Sequence, residues 1–340
     1  MLISDIAAGL EPIIGPADLQ LPDRRPWQED TEQIFGVVQV VGQPLIVKIS
    51  PTAGIGQTLV PWVLRRHGID VPWSGSFMAA ELSDTGGREP AAYSLFALRD
   101  VLAEEVGRFA VGDETALVLA DLGETGGPPR WPVERIEDAL VAVAGVQGPT
   151  SGRDYRWAPL RPSTRTTMAD ADLYRAMLTD AAVRLPDIVT PSVLETRLAT
   201  IDTISRWHPA KDVMPACLVH NDFRPHNIVV RESGQVSVLD WSLARVNTPQ
   251  RDAVELLVNT LDAHTDVDEL LHLLAVHWQA LADNGLEVDP EVYARAAAAE
   301  FRIYSVERLS LWLLLATELF QPDLLRLNRT TDHLVGLTAG

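Results

Sequence analysis

Lysine is nearly absent from this chain. Of its 28 basic residues only Lys48 and Lys211 are lysines, and the rest are arginines. Cysteine is rarer still. Cys217 stands alone, which excludes an internal disulfide and reads as a small buried hydrophobe. No apolar run reaches the roughly 18 residues that a membrane-spanning helix needs. The opening stretch MLISDIAAGLEPIIG has no basic segment before its apolar residues and carries acids among them. It does not read as a secretory signal, so a cytoplasmic location is expected. Excess positive charge is missing too: the formal net charge is −19, the wrong sign for a nucleic-acid binder. An acidic surface attracts cationic substrates such as an aminocyclitol or a basic peptide, although solubility alone accounts for it. There is no internal repeat and no low-complexity tail.

What is present fits a globular protein of two lobes. The chain has 340 residues, 46% hydrophobic and 22% charged. Residues 34–50, IFGVVQVVGQPLIVKIS, read as two strands joined at Gly42-Gln43-Pro44. They place Lys48 in the middle of an apolar strand, where an ammonium is costly unless it meets an anion. Lys211 lies in HPAKDV, which reads as a loop. Residues 56–67 are helix-like, a Gly-Gly turn follows at 86–87, and a second helix is expected from about 89 to 104. TALVLADL, 115–122, reads as a short buried strand. The Gly/Pro-rich break GETGGPPRWP marks a boundary near 123–131. Beyond it the periodicity is helical, with a loop at 147–167, helices near 168–185 and 191–207, and almost unbroken helix from 250 to 335. One strand-rich segment, 217–241, interrupts the helices. Most of the nine tryptophans sit on helical faces and read as core.

That segment, CLVHNDFRPHNIVVRESGQVSVLDWS, carries the chemistry. NIVVRE and QVSVLD flank Ser233-Gly234, read as a two-residue turn. Such a turn pairs residue 230 with 237 and Asn227 with Asp240. Residues directly opposed in an antiparallel pair have Cα atoms about 4.5–5.5 Å apart and share a face. An amide oxygen beside a carboxylate makes a plausible pair of oxygen ligands for Mg²⁺. Asp222 lies five residues before Asn227 in a loop. A loop carboxylate near a metal-bound triphosphate can accept the proton of an attacking hydroxyl. Lys48 would supply a cation to the phosphates.

His220-Asn221-Asp222, then four residues to Asn227, then Asp240-Trp241, resembles the kinase-like phosphotransferases that include aminoglycoside and choline kinases. Protein kinases share the layout but put Phe-Gly after the last aspartate, where Trp241-Ser242 stands here. NTPQRDAVELL, with Asp252 opening a helix, resembles the same branch. The resemblance implies an α+β, bilobal, protein-kinase-like fold. Its small β-rich nucleotide-binding lobe would be 1–122, ending in a hinge, and its large, mainly helical catalytic and substrate lobe 123–340. It implies ATP and Mg²⁺, with Asp222 as catalytic base and Asn227 and Asp240 as metal ligands. Lys48 becomes the phosphate-binding lysine on the third strand. The stretch 117–122, with Leu119 and Asp121, becomes the hinge that holds adenine. His220 is expected to brace the loop, and Asp252 to cap its helix and brace the lobe.

The chain departs from that pattern in places. Residues 22–36, PDRRPWQEDTEQIFG, contain no glycine-rich phosphate loop, and Arg24 or Arg25 would have to compensate. The acidic partner of Lys48 is Glu89, in REPAAYSLFAL, or else Gln57 holds that position. Asn221 and His226 replace glycines common in the relatives and either shape substrate choice or are neutral. Three functions follow. The first is phosphate transfer to a small metabolite or an aminoglycoside-like antibiotic. The second is a Ser/Thr kinase for a precursor peptide in a natural-product pathway. The third is a non-catalytic pseudokinase, which predicts loss of the base or metal ligands, all present here. Arg153, Arg156, Arg161 and Arg165 in the 147–167 loop suit an anionic metabolite or an acidic leader peptide. A partner protein is compatible with each function.

Overall fold

The computed structural model describes residues 3–21, 36–49, 59–70, 87–95, 98–123, 130–160, 164–319 and 324–338. The first helix, α1 (Ile3–Ile14), is followed by β1 (Leu19–Gln20), β2 (Gly36–Val40) and β3 (Leu45–Ile49). Helices α2 (Leu59–Arg66) and α3 (Arg88–Ala92) lead to β4 (Glu105–Val111) and β5 (Glu114–Ala120). The five strands form one antiparallel sheet in the order β1-β2-β3-β5-β4. Alternation along β3 gives the sheet two different faces. Val47 and Ile49 are buried with Val38, Val40, Ala116 and Val118 against Ile6 and Leu10 of α1. Lys48 lies opposite Val37 and Leu117, so it points to the other face of the sheet. Helix α1 lies close on the sheet because Gly9 has no side chain: a Cβ there would come within 2.0 Å of the Phe109 ring.

The helical part begins with α4 (Val133–Thr150), α5 (Thr164–Ala169), α6 (Ala171–Arg184), α7 (Pro191–Asp202) and α8 (Ile204–Asp212). Four short strands follow: β6 (Cys217–Val219), β7 (Ile228–Val230), β8 (Val236–Val238) and β9 (Arg245–Asn247). The chain then forms α9 (Gln250–Thr260), α10 (Val267–Asp283), α11 (Pro290–Leu319) and α12 (Leu324–Leu337). Strand β6 pairs with β9 and β7 with β8, both antiparallel. Helix α9 is buried from Gln250 to Val258 and forms the centre of the large core. Among the described residues no helix is long and apolar enough to cross a membrane.

Helices α2 and α3 belong to this large core, although they lie between strands of the small sheet. Leu59, Val60, Val63, Leu64 and Ala92 pack with it, and α3 rests against the turn Trp241–Leu243. Just beyond α2, the His67 ring is held between Asp180 of α6 (2.5 Å) and Thr317 of α11 (2.9 Å). The sheet and α1 form their own small core.

Several expectations from the sequence need correction. The helix expected at 89–104 ends at Ala92, and Glu105–Val111 is a strand. Its half-buried Glu105 and exposed Arg108 form an ion pair that hid the β pattern. The 147–167 stretch is not all loop: α4 runs through Gly148-Pro149 to Thr150, and α5 starts at Thr164. Lys211 sits in α8 rather than a loop, buried, with its ammonium 3.6 Å from Glu300. The β7–β8 turn has three residues, not two. Gly234 takes a left-handed φ of 80°, and the register pairs Ile228 with Val238 and Val230 with Val236. Residue 230 therefore does not face 237. Asn227 is joined to Leu239, whose amide donates to the Asn227 carbonyl at 2.8 Å, and does not face Asp240.

Candidate active site

The loop between β6 and β7 is built from its own side chains. Asn221 has φ 63°, a left-handed conformation that Asn tolerates better than most residues. His220 spans the loop: its Nε2 donates to the Leu239 carbonyl at 2.7 Å, and its Nδ1 accepts from the Asp222 amide at 3.2 Å. The same ring stands edge-on to Trp241 and Phe223. Asn227 Nδ2 donates to the Asp222 carbonyl and to Asp222 Oδ2, both at 2.8 Å. With its nitrogen so committed, the Asn227 amide oxygen is the end available to a cation. Asp222 is 6% exposed, and its Oδ1 finds no hydrogen-bond donor among the described residues. Arg224 Nε lies 3.2 Å from that oxygen, in ion-pair contact only.

Asp240 reaches the cleft by a different route from the one expected. Its φ is 62°, a conformation costing about 1–2 kcal/mol in a non-glycine residue. The resulting turn brings its carboxylate to Lys48 Nζ at 2.7 Å. Ser242 Oγ donates to the same carboxylate oxygen at 2.5 Å. Lys48 also meets both oxygens of Glu89, at 2.9 and 2.8 Å. Burial works against the Lys48 charge, but Asp240 and Glu89 more than restore it and raise its pKa. At Asp240 partial desolvation opposes ionisation. The Lys48 charge and the hydrogen bonds from Lys48 and Ser242 win, and the carboxyl is held well below the usual range. The Asp240 side chain remains 40% exposed, open to a ligand from the cleft.

A second layer supports the loop. Asp252, in the first turn of α9, accepts from the amides of His220 (2.9 Å) and Asn221 (2.8 Å). It also accepts from Gln147 Nε2 at 3.0 Å. Burial raises its pKa, partly offset by His220 and by those amides. Gln147 Oε1 in turn meets His277 Nε2 at 2.9 Å, and His277 Nδ1 meets the Tyr293 hydroxyl at 2.6 Å. Below the loop, Arg251 donates to Asn221 Oδ1 and Glu300, and Arg308 donates to the Asn221 carbonyl.

The structure therefore brings Asp222 to Asn227, and Lys48 to Glu89 and Asp240. Leu119 lies inside β5 with a buried side chain on the Lys48 face, opposite Ile46. Asp121 is exposed; its amide donates to the Pro44 carbonyl and its carboxylate accepts from the Gly123 amide. Neither touches the Lys48 cluster among the contacts seen. Asn221 is fully buried and engaged with Leu243 and Arg251, which excludes direct substrate contact, while His226 is exposed. Arg153 and Arg156 are exposed. Arg24, Arg25, Gln57 and Arg161 lie outside the described residues, as does the side chain of Arg165. Sequence reasoning missed Gln147, His277 and Arg224. Only Arg224 carried a local signal, standing two residues after Asp222.

The sequence model of the phosphotransferase enzyme family matches residues 113–294. No curated protein matches the chain by sequence. Among solved structures, a choline kinase from Streptococcus pneumoniae is similar over 99% of each chain, with 13% identity and a TM-score of 0.54. The same choline kinase in complex with AMP gives 14% identity over 98% of this chain and 97% of the other, with a TM-score of 0.51. An aminoglycoside phosphotransferase from Alicyclobacillus acidocaldarius covers 96% of this chain and 92% of its own, with 14% identity and a TM-score of 0.52. At these identities the likeness establishes the kinase-like fold.

Proposed function

The chain belongs to the phosphotransferase enzyme family, and from that premise we propose that it moves the γ-phosphoryl group of ATP to a hydroxyl of a small metabolite. As a family member it is a phosphotransferase acting on a hydroxyl group. The observation that carries the finer reading is the Glu89–Lys48–Asp240 triangle beside Asp222, whose Oδ1 is buried and lacks a donor. In this reading Asp222 is the base: the acceptor hydroxyl donates to Oδ1 and passes its proton there as its oxygen attacks phosphorus. The Asn227 bond to Oδ2 aims the carboxylate. Glu89 orients Lys48, which binds the phosphates. Asn227 Oδ1 and the Asp240 carboxylate offer the oxygen donors that suit Mg²⁺, which when bound neutralises charge on the triphosphate. The segment 117–122 forms the adenine hinge, with Leu119 on the cleft face and Asp121 near its end. It divides a nucleotide lobe, 1–122, from a catalytic lobe, 123–340.

An AMP complex of a choline kinase with this fold supports a nucleotide as donor. Exposed Arg153 and Arg156 favour, as a second reading, an acidic precursor peptide as acceptor. The test is transfer of label from γ-labelled ATP to a panel of hydroxylated metabolites and peptides. D222N should bind ATP yet lose transfer by about 100-fold or more; near-normal turnover removes Asp222 as base. D240A should lose metal-dependent nucleotide binding, and if it retains that binding the ligand assignment fails.

A further inference from the structure

Next to the base lies a recess whose lining is made for a cation, and the chain fills it with its own arginine. Arg224 lies two residues after Asp222, and its amide donates to the Asp222 carbonyl at 3.0 Å. The guanidinium carbon sits 4.5 Å from the centre of the Trp312 ring, on α11, in cation–π contact. Its Nε is 3.2 Å from Asp222 Oδ1. Glu255 of α9 and Tyr304 of α11 are both fully buried and near enough to act on the Arg224 charge. Arg308 Nε is 3.7 Å from Glu255.

The hydrogen bonding of this recess is incomplete. Asp222 Oδ1 and both carboxylate oxygens of Glu255 are buried without a hydrogen-bond partner among the described residues. Arg224 Nε also makes no hydrogen bond. An indole face, a phenol and the Asp222 carboxylate are groups that hold an ammonium or quaternary ammonium ion, and the Glu255 carboxyl group joins them as it ionises. The arginine satisfies their charge but not their hydrogen bonds. Its side chain is 28% exposed, so the seat opens toward solvent.

We propose that Arg224 is a specificity residue that occupies a cation seat beside the catalytic base and directs the site to acceptors carrying no positive charge near the reacting hydroxyl. This rests on the reading of Asp222 given above. A cationic acceptor meets a like charge where its ammonium would have to sit. A neutral or anionic acceptor leaves the arginine in place.

The probe is tetramethylammonium chloride, with sodium chloride at equal ionic strength as the control, followed by tryptophan fluorescence. The wild-type chain should show no saturable quenching. R224A should gain saturable binding, about ten- to thirtyfold tighter than any wild-type response, the range of a desolvated cation–π contact. Adding W312L to R224A should abolish the gain. The proposal is overturned if wild type binds the probe as tightly as R224A. It is overturned equally if folded R224A gains nothing, or if the gain survives W312L. Should R224A not fold, R224Q serves in its place, and the wild-type measurement stands by itself. None of these readouts needs turnover. Failure of phosphotransfer to depend on Asp222 would therefore count against the reaction, and failure of the cation assay against the seat.

Discussion

Replacing Asp252 by alanine is expected to loosen the active-site loop more than any strand in the molecule. The carboxylate is fully buried and accepts three hydrogen bonds, from the amides of His220 and Asn221 and from Gln147. Alanine leaves all three donors buried and unpaired. At about 1–3 kcal/mol for each orphaned group, and with some recovered by water, the loss is about 3–6 kcal/mol. That is a large share of the roughly 5–15 kcal/mol by which proteins are stable. Asparagine keeps the shape and one acceptor oxygen. Because burial already disfavours the charged form, D252N should cost only about 1–2 kcal/mol. Urea unfolding measures both values. Hydrogen exchange locates the effect: the His220 and Asn221 amides should lose protection by at least tenfold in D252A, while the β3 and β5 amides keep theirs. If D252A unfolds within about 1 kcal/mol of wild type with those two amides still protected, the strands alone hold the loop and the reasoning fails.

Three further perturbations read other parts of the structure. In K48M the lowered pKa of Asp240 loses its main support. The stability tied to that carboxylate, present above its unfolded pKa and lost as pH falls through the folded one, should then disappear at higher pH. The acid-unfolding midpoint should move upward, and an unchanged midpoint would deny the Lys48–Asp240 coupling. Burial raises the Glu255 pKa to about 7, so the stability of its neutral form is lost as pH rises from about 4.5 through 7. E255Q stays neutral, and its Tm should gain on wild type across that window; parallel curves would place Glu255 in a wetter site. Alanine at Gly9 improves helix propensity by about 1 kcal/mol but drives a methyl into Phe109. The net effect expected is a loss of about 1–3 kcal/mol by thermal unfolding, and a stabilised G9A would show that α1 can lift off the sheet.

The residues that stand close in sequence were the legible ones. His220, Asp222 and Asn227 lie within one short loop, and the strand pattern around them is plain. The β7–β8 register was not legible, because Gly234 in a left-handed turn absorbs one residue and moves Asn227 opposite Leu239. Asp240 still reaches the site, through its own left-handed backbone, which no hydrophobic pattern announces. Glu89 could be nominated but not fixed, since 41 residues separate it from Lys48 and only tertiary packing closes that gap. Gln147 and His277 were invisible: each is a polar residue among the mainly apolar buried residues of its helix, and their meaning lies in a partner more than 100 residues away. Strand β4 was lost to its outward charges, and α1 was weighed as a targeting signal but not as a lid on the sheet.

The placement of α3 in the large core has a mechanical result. Both carboxylates that grip Lys48 are anchored there, Glu89 on α3 and Asp240 beside the Trp241–Leu243 turn that α3 rests against. The lysine rides on the sheet, with the small core. Swinging the sheet outward therefore separates one positive charge from two negative ones, and the cleft behaves as a sprung jaw. Added electrolyte weakens the spring once the gap exceeds the screening distance of about 8 Å at physiological ionic strength. The ease with which this jaw opens is thus set partly by the salt around it.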